Sequence, residues 1–250
     1  MTNAAPKQDF AQAASRSIDV SHNKDAKNLR FENLSLGLAD GTTLFSAFSL
    51  TLEPGDRLVI TGPLGCGKSS ILRAALDKWE HGSGTIETPE RSQILCLTQR
   101  PYMPLTCLKG IVTYPRPAEH NDDAAVAAAL EHAGMGHIAA DMNDKTKDGS
   151  FWQSRLSGGQ QQSVVFARAF LQKPPVLMLD EATSAMDAAS QERFYSTTVA
   201  QLPGSIIISI SHRPEVMKHH TLHAEFVNRT IRVQPVAADR SGPKPETPAP

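Results

Sequence analysis

The chain has 250 residues, of which 40% are hydrophobic and 20% are charged, and its formal net charge is −1. These values fit a globular domain with a packed core, and they exclude disorder over most of the chain. They also exclude a global basic field, so we expect no nucleic-acid partner.

No apolar run approaches the roughly 18–20 residues that cross a bilayer, so the sequence predicts no membrane-spanning helix.

The two ends of the chain differ from its middle. The N-terminal stretch is rich in Ala, Ser, Lys and Asp, and the C-terminal stretch is polar and rich in Pro. We therefore expect a flexible linker over residues 1–29, a folded domain over 30–235 and a disordered tail over 236–250.

The first predicted elements are strands. Apolar residues alternate over Arg30–Leu38 and Thr43–Leu52, and Asp-Gly and Pro-Gly turns follow these runs. This pattern predicts an antiparallel pair. A compact apolar strand at Arg57–Thr61 then leads through a glycine-rich turn into a helix predicted over Lys68–Lys78.

The second half of the chain alternates strands and helices. Strands are predicted at Gln93–Thr98, Val176–Leu179 and Ser205–Ser209. Helices are predicted at Asn121–Met142 with Asn121 as the cap, at Gly159–Gln172 and at Ala188–Leu202. This alternation predicts an α/β fold with a mostly parallel sheet and helices on both faces.

The glycine-rich turn reads GPLGCGKSS, and its Gly62, Gly67, Lys68 and Ser69 match G-x-x-x-x-G-K-[ST]. Glycines let backbone N–H groups turn toward phosphate oxygens, and the helix that follows directs its positive end at the same anion. Lys68 would contact the β- and γ-phosphates, and Ser69 would supply a hydroxyl ligand to Mg²⁺. The turn therefore predicts a nucleoside triphosphate site.

An acidic pair follows the predicted strand in VLMLDE. Asp180 and Glu181 would lie at the carboxyl edge of the sheet, where open α/β folds bind ligands. Two adjacent acids suggest separate tasks: Asp180 would hold Mg²⁺, and Glu181 would polarise an attacking water.

Residues Leu156–Gln160 read LSGGQ. With this motif the chain resembles the nucleotide-binding domain of ABC transporters, the ATP-binding cassette, over about residues 30–233. The resemblance implies a P-loop NTPase fold with an ABC ATPase core, an antiparallel β subdomain and a helical subdomain over about residues 105–168. It also implies the cofactors ATP and Mg²⁺.

The resemblance assigns site residues position by position. It implies catalytic roles for Glu181, His212 and Gln99, which look like the catalytic glutamate, the switch histidine and the Q-loop glutamine. It implies metal contacts from Ser69, Gln99 and Asp180. The implied nucleotide contacts are Gly62, Pro63, Leu64, Gly65, Cys66, Gly67, Lys68, Ser69, Ser70, Ser157, Gly158, Gly159, Gln160 and Asp187, the last at the end of a D-loop over residues 184–187.

Shorter stretches resemble subfamily D, the peroxisomal fatty-acyl transporters, and bacterial relatives that carry a fused permease. They are ITGPLGCGKSSILRA, TQRPYMPL, Trp79 and Trp152. The implied protein is an ATPase subunit or domain at the cytoplasmic face of a membrane. Its implied partners are a transmembrane permease, in a separate chain or a missing N-terminal part, and a second cassette in a homo- or heterodimer. Two alternatives remain: a weakly active regulatory ABC ATPase, and a soluble ABC ATPase outside transport.

Two positions depart from the family pattern. The loop around Leu38–Asp40 lacks the aromatic residue that stacks on adenine, so stacking is expected to be weak or to come from Phe45 or Phe31. Ser163 stands where the family has an arginine after the signature, which removes a cation near a helix start.

Overall fold

The computed structural model describes residues 18–236, so the predicted flexible stretches at residues 1–17 and 237–250 lie outside the described residues. The strands are β1 (Asp19–Asn23), β2 (Leu29–Gly37), β3 (Thr43–Leu52), β4 (Arg57–Thr61), β5 (Gly82–Pro89), β6 (Ile94–Thr98), β7 (Val176–Asp180), β8 (Ile206–Ile210), β9 (Leu222–Val227) and β10 (Thr230–Pro235). The α-helices are α1 (Lys68–Ala75), α2 (Leu108–Thr113), α3 (Asp123–His132), α4 (Gly149–Arg155), α5 (Gly158–Gln172) and α6 (Ala188–Gln201). Short 3₁₀ helices cover Arg91–Gln93, Ala118–His120, Gly136–Asp141 and Pro214–His219.

The larger sheet has six strands in the order β10-β9-β4-β8-β7-β6. All neighbours from β9 to β6 are parallel, and β10 alone is antiparallel. Every residue of β8 is buried, as expected for a central parallel strand that is covered on both faces. The predicted mostly parallel sheet is confirmed.

The smaller sheet has four strands in the order β1-β5-β2-β3. Strand β2 is antiparallel to both β3 and β5, which confirms the predicted antiparallel subdomain. Strand β1 lies within the predicted N-terminal linker, yet it pairs in parallel with β5 from Asp19 opposite Thr85 onward. The linker prediction is wrong for these residues because β5 was not predicted, so β1 had no visible partner.

Helix α6 ends one residue before the predicted Leu202, and two other helices end clearly earlier than predicted. Helix α1 stops at Ala75, and Asp77 then takes a left-handed φ of 53° that a helix cannot continue. Helix α3 stops at His132, because Gly134 turns the chain with a φ of 74°. Its N-cap is Asp122 and not Asn121.

The remaining helices place the signature segment. The expected helical subdomain contains α2, α3, α4 and most of α5, which runs on to Gln172. These helices share a hydrophobic core that includes Phe166, Phe170 and Phe194, with Phe166 stacked on Phe194 at 3.8 Å between ring centroids. A second core joins the two sheets and α1.

Parallel strands bring several loops to one edge of the larger sheet. The glycine-rich turn follows β4, Gln99 follows β6, Glu181 follows β7, and His212 lies shortly after β8. Since the carboxyl ends of parallel strands share one edge, four separate segments of the sequence meet there.

Candidate functional site

The turn between β4 and α1 needs glycine for two physical reasons. Gly62 and Gly67 have φ values of 147° and 107°, which residues with side chains rarely adopt. A Cβ on Gly62 would also lie 2.6 Å from the Cβ of Phe226, and one on Gly67 would lie 3.1 Å from the Cβ of Leu44. The neighbouring strands therefore fix the path of this loop.

Lys68 begins α1 with a buried side chain that is 5% exposed. Its Nζ donates hydrogen bonds to the carbonyl oxygens of Gly62 and Pro63, at 3.0 and 2.8 Å. Both acceptors are neutral, so the ammonium keeps its full charge for an anion in the loop. This arrangement suits a phosphate group.

The other loop residues have varied surroundings. Leu64 is 91% exposed at the tip of the loop, and Ser70 is buried in α1. Gly65 has a left-handed φ of 76°, and Cys66 is half-buried. The nucleotide contacts assigned to these residues stay predictions.

Ser69 and Asp180 meet directly, since the Ser69 hydroxyl donates to Asp180 Oδ1 over 2.7 Å. Asp180 ends β7, and Thr98 of β6 lies opposite it in the parallel register. Gln99, the residue after Thr98, therefore lies just beyond the same edge. Hydroxyl, carboxylate and amide oxygens are ligands that Mg²⁺ prefers, so these three residues fit the metal contacts predicted for them.

Glu181 takes a left-handed φ of 52°, a conformation that costs a non-glycine residue about 1–2 kcal/mol. Its N–H donates to the carbonyl of Ile210 at 3.2 Å, which ties it to the end of β8. Its Oε1 lies 3.1 Å from His212 Nε2. The predicted pair of catalytic residues is thus in contact, and both side chains are partly exposed.

The signature residues form the start of α5. Ser157 is the N-cap and makes a capping box with Gln160: Ser157 Oγ accepts from Gln160 N at 3.3 Å, and Gln160 Oε1 accepts from Ser157 N at 2.9 Å. Gly158 and Gly159 occupy the first turn, where N–H groups have no helical acceptor. A Cβ on Gly159 would lie 3.0 Å from the carbonyl oxygen of Ala185, so the D-loop packs against this turn.

Asp187 ends the D-loop and caps α6. Its carboxylate accepts from Ser190 N at 2.8 Å and from Ser190 Oγ at 2.7 Å, and these hydrogen bonds hold the pKa of Asp187 below its ordinary value. Asp187 lines a cavity of about 570 Å³ together with Ser157, Gly159 and Ser163. The signature and the D-loop therefore form a second cluster, whose nucleotide contacts stay predictions.

The sequence reasoning missed Arg213. Its guanidinium donates to the carbonyl oxygens of Met186 and Ser184, at 2.9 and 3.1 Å, and to Gln191 Oε1 at 3.2 Å. The only signal in the sequence is that Arg213 follows His212 directly. Its side chain therefore links the D-loop to the segment that contains His212.

The expectation for adenine stacking needs correction. Phe31 and Phe45 are both buried in the core between the sheets, where they contact Phe48. Neither ring can face a nucleotide without leaving that core. Leu38 is 39% exposed in the loop where the family has its aromatic residue.

The family model described as "ABC transporter" matches residues 45–184, more than half of the chain. The chain belongs to the ABC transporter family. It is an ATP-binding and ATP-hydrolysing domain of that family, and the observed α/β fold with its parallel and antiparallel sheets is that of an ABC ATPase.

Relatives of this ABC ATPase domain include an uncharacterized ABC transporter ATP-binding protein of Synechocystis sp., 37% identical over 76% of this chain and 28% of the relative. ATP-binding cassette sub-family D member 3 of Rattus norvegicus is 32% identical over 80% of this chain and 31% of the relative. The resemblance to subfamily D is confirmed, and the two alternatives to a transporter ATPase are not favoured. The ABC domain spans less than a third of the length of these relatives.

A solved structure of a bacterial Atm1-family ABC exporter with ATP bound has the same fold. Its TM-score is 0.75, with 22% identity over 93% of this chain and 44% of that one.

A search of the helices within residues 18–236 finds none with the length and apolar character of a membrane span.

Proposed function

We propose that this domain binds MgATP in the loop of residues 62–70, hydrolyses it with Glu181 and His212, and thereby drives a transmembrane permease. The observation that carries the proposal is that three contacts lie at one sheet edge. Lys68 contacts the carbonyl oxygen of Gly62, Ser69 contacts Asp180, and Glu181 contacts His212. The groups that we propose for nucleotide binding, metal ligation and activation of water thus lie at the same edge.

Each residue has a distinct task in this proposal. Lys68 and the loop N–H groups would hold the β- and γ-phosphates. Ser69, Gln99 and Asp180 would hold Mg²⁺, which when bound neutralises charge on the phosphates. Glu181 would accept a hydrogen bond from the attacking water and orient it, and His212 would contact the γ-phosphate.

The second cluster implies a second cassette. Ser157 and the N–H groups of Gly158 and Gly159 lie at the positive end of the 15-residue α5. Such a helix start favours an anion, here the γ-phosphate held by the other copy. Two cassettes would then close head-to-tail around two ATP molecules, with Asp187 at the contact.

The permease and the cellular position belong to the same proposal. The relatives are ABC transporter proteins more than three times as long as the match, so a permease in the same or another polypeptide is the partner we propose. The domain would work at the cytoplasmic face of the membrane, where ATP is available.

Lys68 provides the test of the nucleotide site. Lys68→Ala removes charge-assisted hydrogen bonds worth about 1.5–3 kcal/mol each, so we expect MgATP affinity to fall by at least about tenfold. Lys78→Ala, at an exposed position after α1, is the control and should bind as the unchanged protein does. Equal affinity of the two variants by calorimetry would refute the proposed site.

A further inference from the structure

Gln162 lies on the buried face of α5, beyond the signature motif. It is 2% exposed, and Phe166 and Phe170 continue the same buried face. A carboxamide at such a position loses its water and needs partners within the protein. In the sequence Gln162 cannot be distinguished from Gln160 and Gln161, which are less buried.

The partners of Gln162 are two main-chain groups from distant segments. Its Nε2 donates to the carbonyl oxygen of Gln99 at 3.1 Å. Its Oε1 accepts from the N–H of Ala185 at 3.3 Å. One planar amide thus joins the Q-loop to the D-loop, and both bonds run through a rigid group.

The D-loop is held on its other side by Arg213, which donates to the carbonyl oxygens of Ser184 and Met186. Hydrogen bonds to Gln162 and Arg213 therefore fix the D-loop main chain. Gln162 links it to Gln99, and Arg213 links it to the segment that contains His212. A displacement of the Gln99 main chain must either move Ala185 or break a hydrogen bond of a buried amide, and the second outcome is costly.

We propose that Gln162 is a positioning residue that makes the D-loop follow Gln99, so that MgATP in the loop of residues 62–70 sets the position of residues 184–187. The inference rests on the proposed function, in which Gln99 contacts the metal and Asp187 faces the second cassette. Gln162 itself touches neither nucleotide nor metal. Its role is to couple nucleotide binding at one site to the position of the surface that contacts the other cassette.

Hydrogen–deuterium exchange with mass spectrometry tests the coupling on the full chain. In the unchanged protein, MgATP should slow exchange both in a peptide over residues 62–70 and in one over 182–187. In Gln162→Met, which keeps the length of the side chain and loses both hydrogen bonds, the first peptide should still respond and the second should not. Gln162→Asn keeps the amide but is too short to reach both partners, and should behave in the same way.

Gln172→Met is the matched control. Gln172 lies on the same helix, and its Nε2 donates to the main-chain carbonyls of Thr113 and Tyr114, at 3.2 and 2.7 Å. It joins neither the Q-loop nor the D-loop, so residues 182–187 of this variant should respond to MgATP as in the unchanged protein. A purely structural loss from α5 would affect both variants alike.

Turnover supplies a second readout. We expect Gln162→Met to lower kcat by about tenfold or more with the Kd for MgATP changed less than about twofold, the pattern of an interaction needed after binding. A response of residues 182–187 that persists in Gln162→Met and Gln162→Asn, or that is missing from the unchanged protein, would overturn the inference. Failure of MgATP to protect residues 62–70 in the unchanged protein would instead overturn the proposed function.

Discussion

His212 Nε2 lies 3.1 Å from Glu181 Oε1, although the two residues follow different strands of the sheet. The contact forms because Asp180 and Ile210 are opposite each other in the register of β7 and β8. Each functional residue follows shortly after its strand ends. The sheet register therefore sets the geometry of the pair.

Glu181→Gln tests the role of this carboxylate. The amide keeps the shape but is a poor base, so the chemical step should slow by about 10²- to 10⁴-fold. MgATP binding should remain, because Lys68, Ser69 and Asp180 are unchanged. Trapped ATP should then accumulate a dimer that size-exclusion chromatography with light scattering detects.

Adding Ser157→Arg to that variant should return it to a monomer, because the bulky cation blocks the helix start that we propose faces the second cassette. Ser154→Arg, at an exposed position of α4, is the control and should leave the dimer intact. A Glu181→Gln protein that is saturated with ATP and still monomeric at high concentration would contradict a homodimer and indicate a heteromeric partner or tethering by the permease.

Leu38→Tyr should strengthen ATP binding. The side chain is partly exposed in the loop that lacks an aromatic residue, and a ring there could stack on adenine for about 0.5–1.5 kcal/mol. Calorimetry should show a Kd for MgATP that is lower by roughly two- to tenfold. The affinity for inorganic tripolyphosphate should not change, and a parallel gain for tripolyphosphate would rule out stacking.

Ser163→Arg should raise ATPase turnover by about two- to fivefold, which corresponds to about 0.4–1 kcal/mol. Ser163 lines the cavity beside Ser157 and Asp187, so an arginine there restores a cation beside the proposed phosphate contact. Ser163→Met adds length without charge and should give no gain. Lower turnover in a fully folded Ser163→Arg protein would mean that the serine is adapted to its surroundings.

His220 should make the fold sensitive to acid. Its Nδ1–H donates to the Val216 carbonyl and its Nε2 accepts from the Ser209 hydroxyl, so the ring is neutral, and burial lowers its pKa to about 4. The unfolded chain binds a proton at this residue near pH 6.5, before the folded protein does, so the free energy of unfolding should fall as the pH drops from about 6.5 to 4, by up to about 3 kcal/mol.

Urea unfolding between pH 7 and 5 measures this effect. His220→Gln should flatten the pH dependence, whereas His22→Gln, at an exposed position, should leave it unchanged. Equal slopes in all three proteins would show that His220 does not supply the sensitivity.

Local motifs made much of the site predictable. The loop of residues 62–70 and the acids after β7 are short contiguous patterns whose chemistry depends on immediate neighbours, and the structure places Ser69 beside Asp180. The family order of motifs assigned roles to His212 and Glu181, but it did not predict that the two side chains are in contact. The parallel strands were visible as apolar runs such as Val176–Leu179.

The missed features depend on distant partners. Strand β1 is mostly exposed and pairs with β5, so its composition carries no signal. Phe31 and Phe45 looked available for adenine because a sequence does not show which side of a twisted strand faces the core. Gln162 reads like its glutamine neighbours, and only its spacing to Phe166 on α5 indicates burial.

The 2.6 Å approach between a Cβ on Gly62 and the Cβ of Phe226 bears on how short a working version of this protein can be. Phe226 belongs to β9, far beyond the segment of residues 45–184 that the family model matches. The side chain that packs against the phosphate loop, Phe226, thus comes late in the chain. During synthesis the loop would emerge first and acquire its final form only after β9 has paired with β4. A shortened version that keeps every recognised motif through His212 but stops before residue 222 should therefore lose nucleotide affinity.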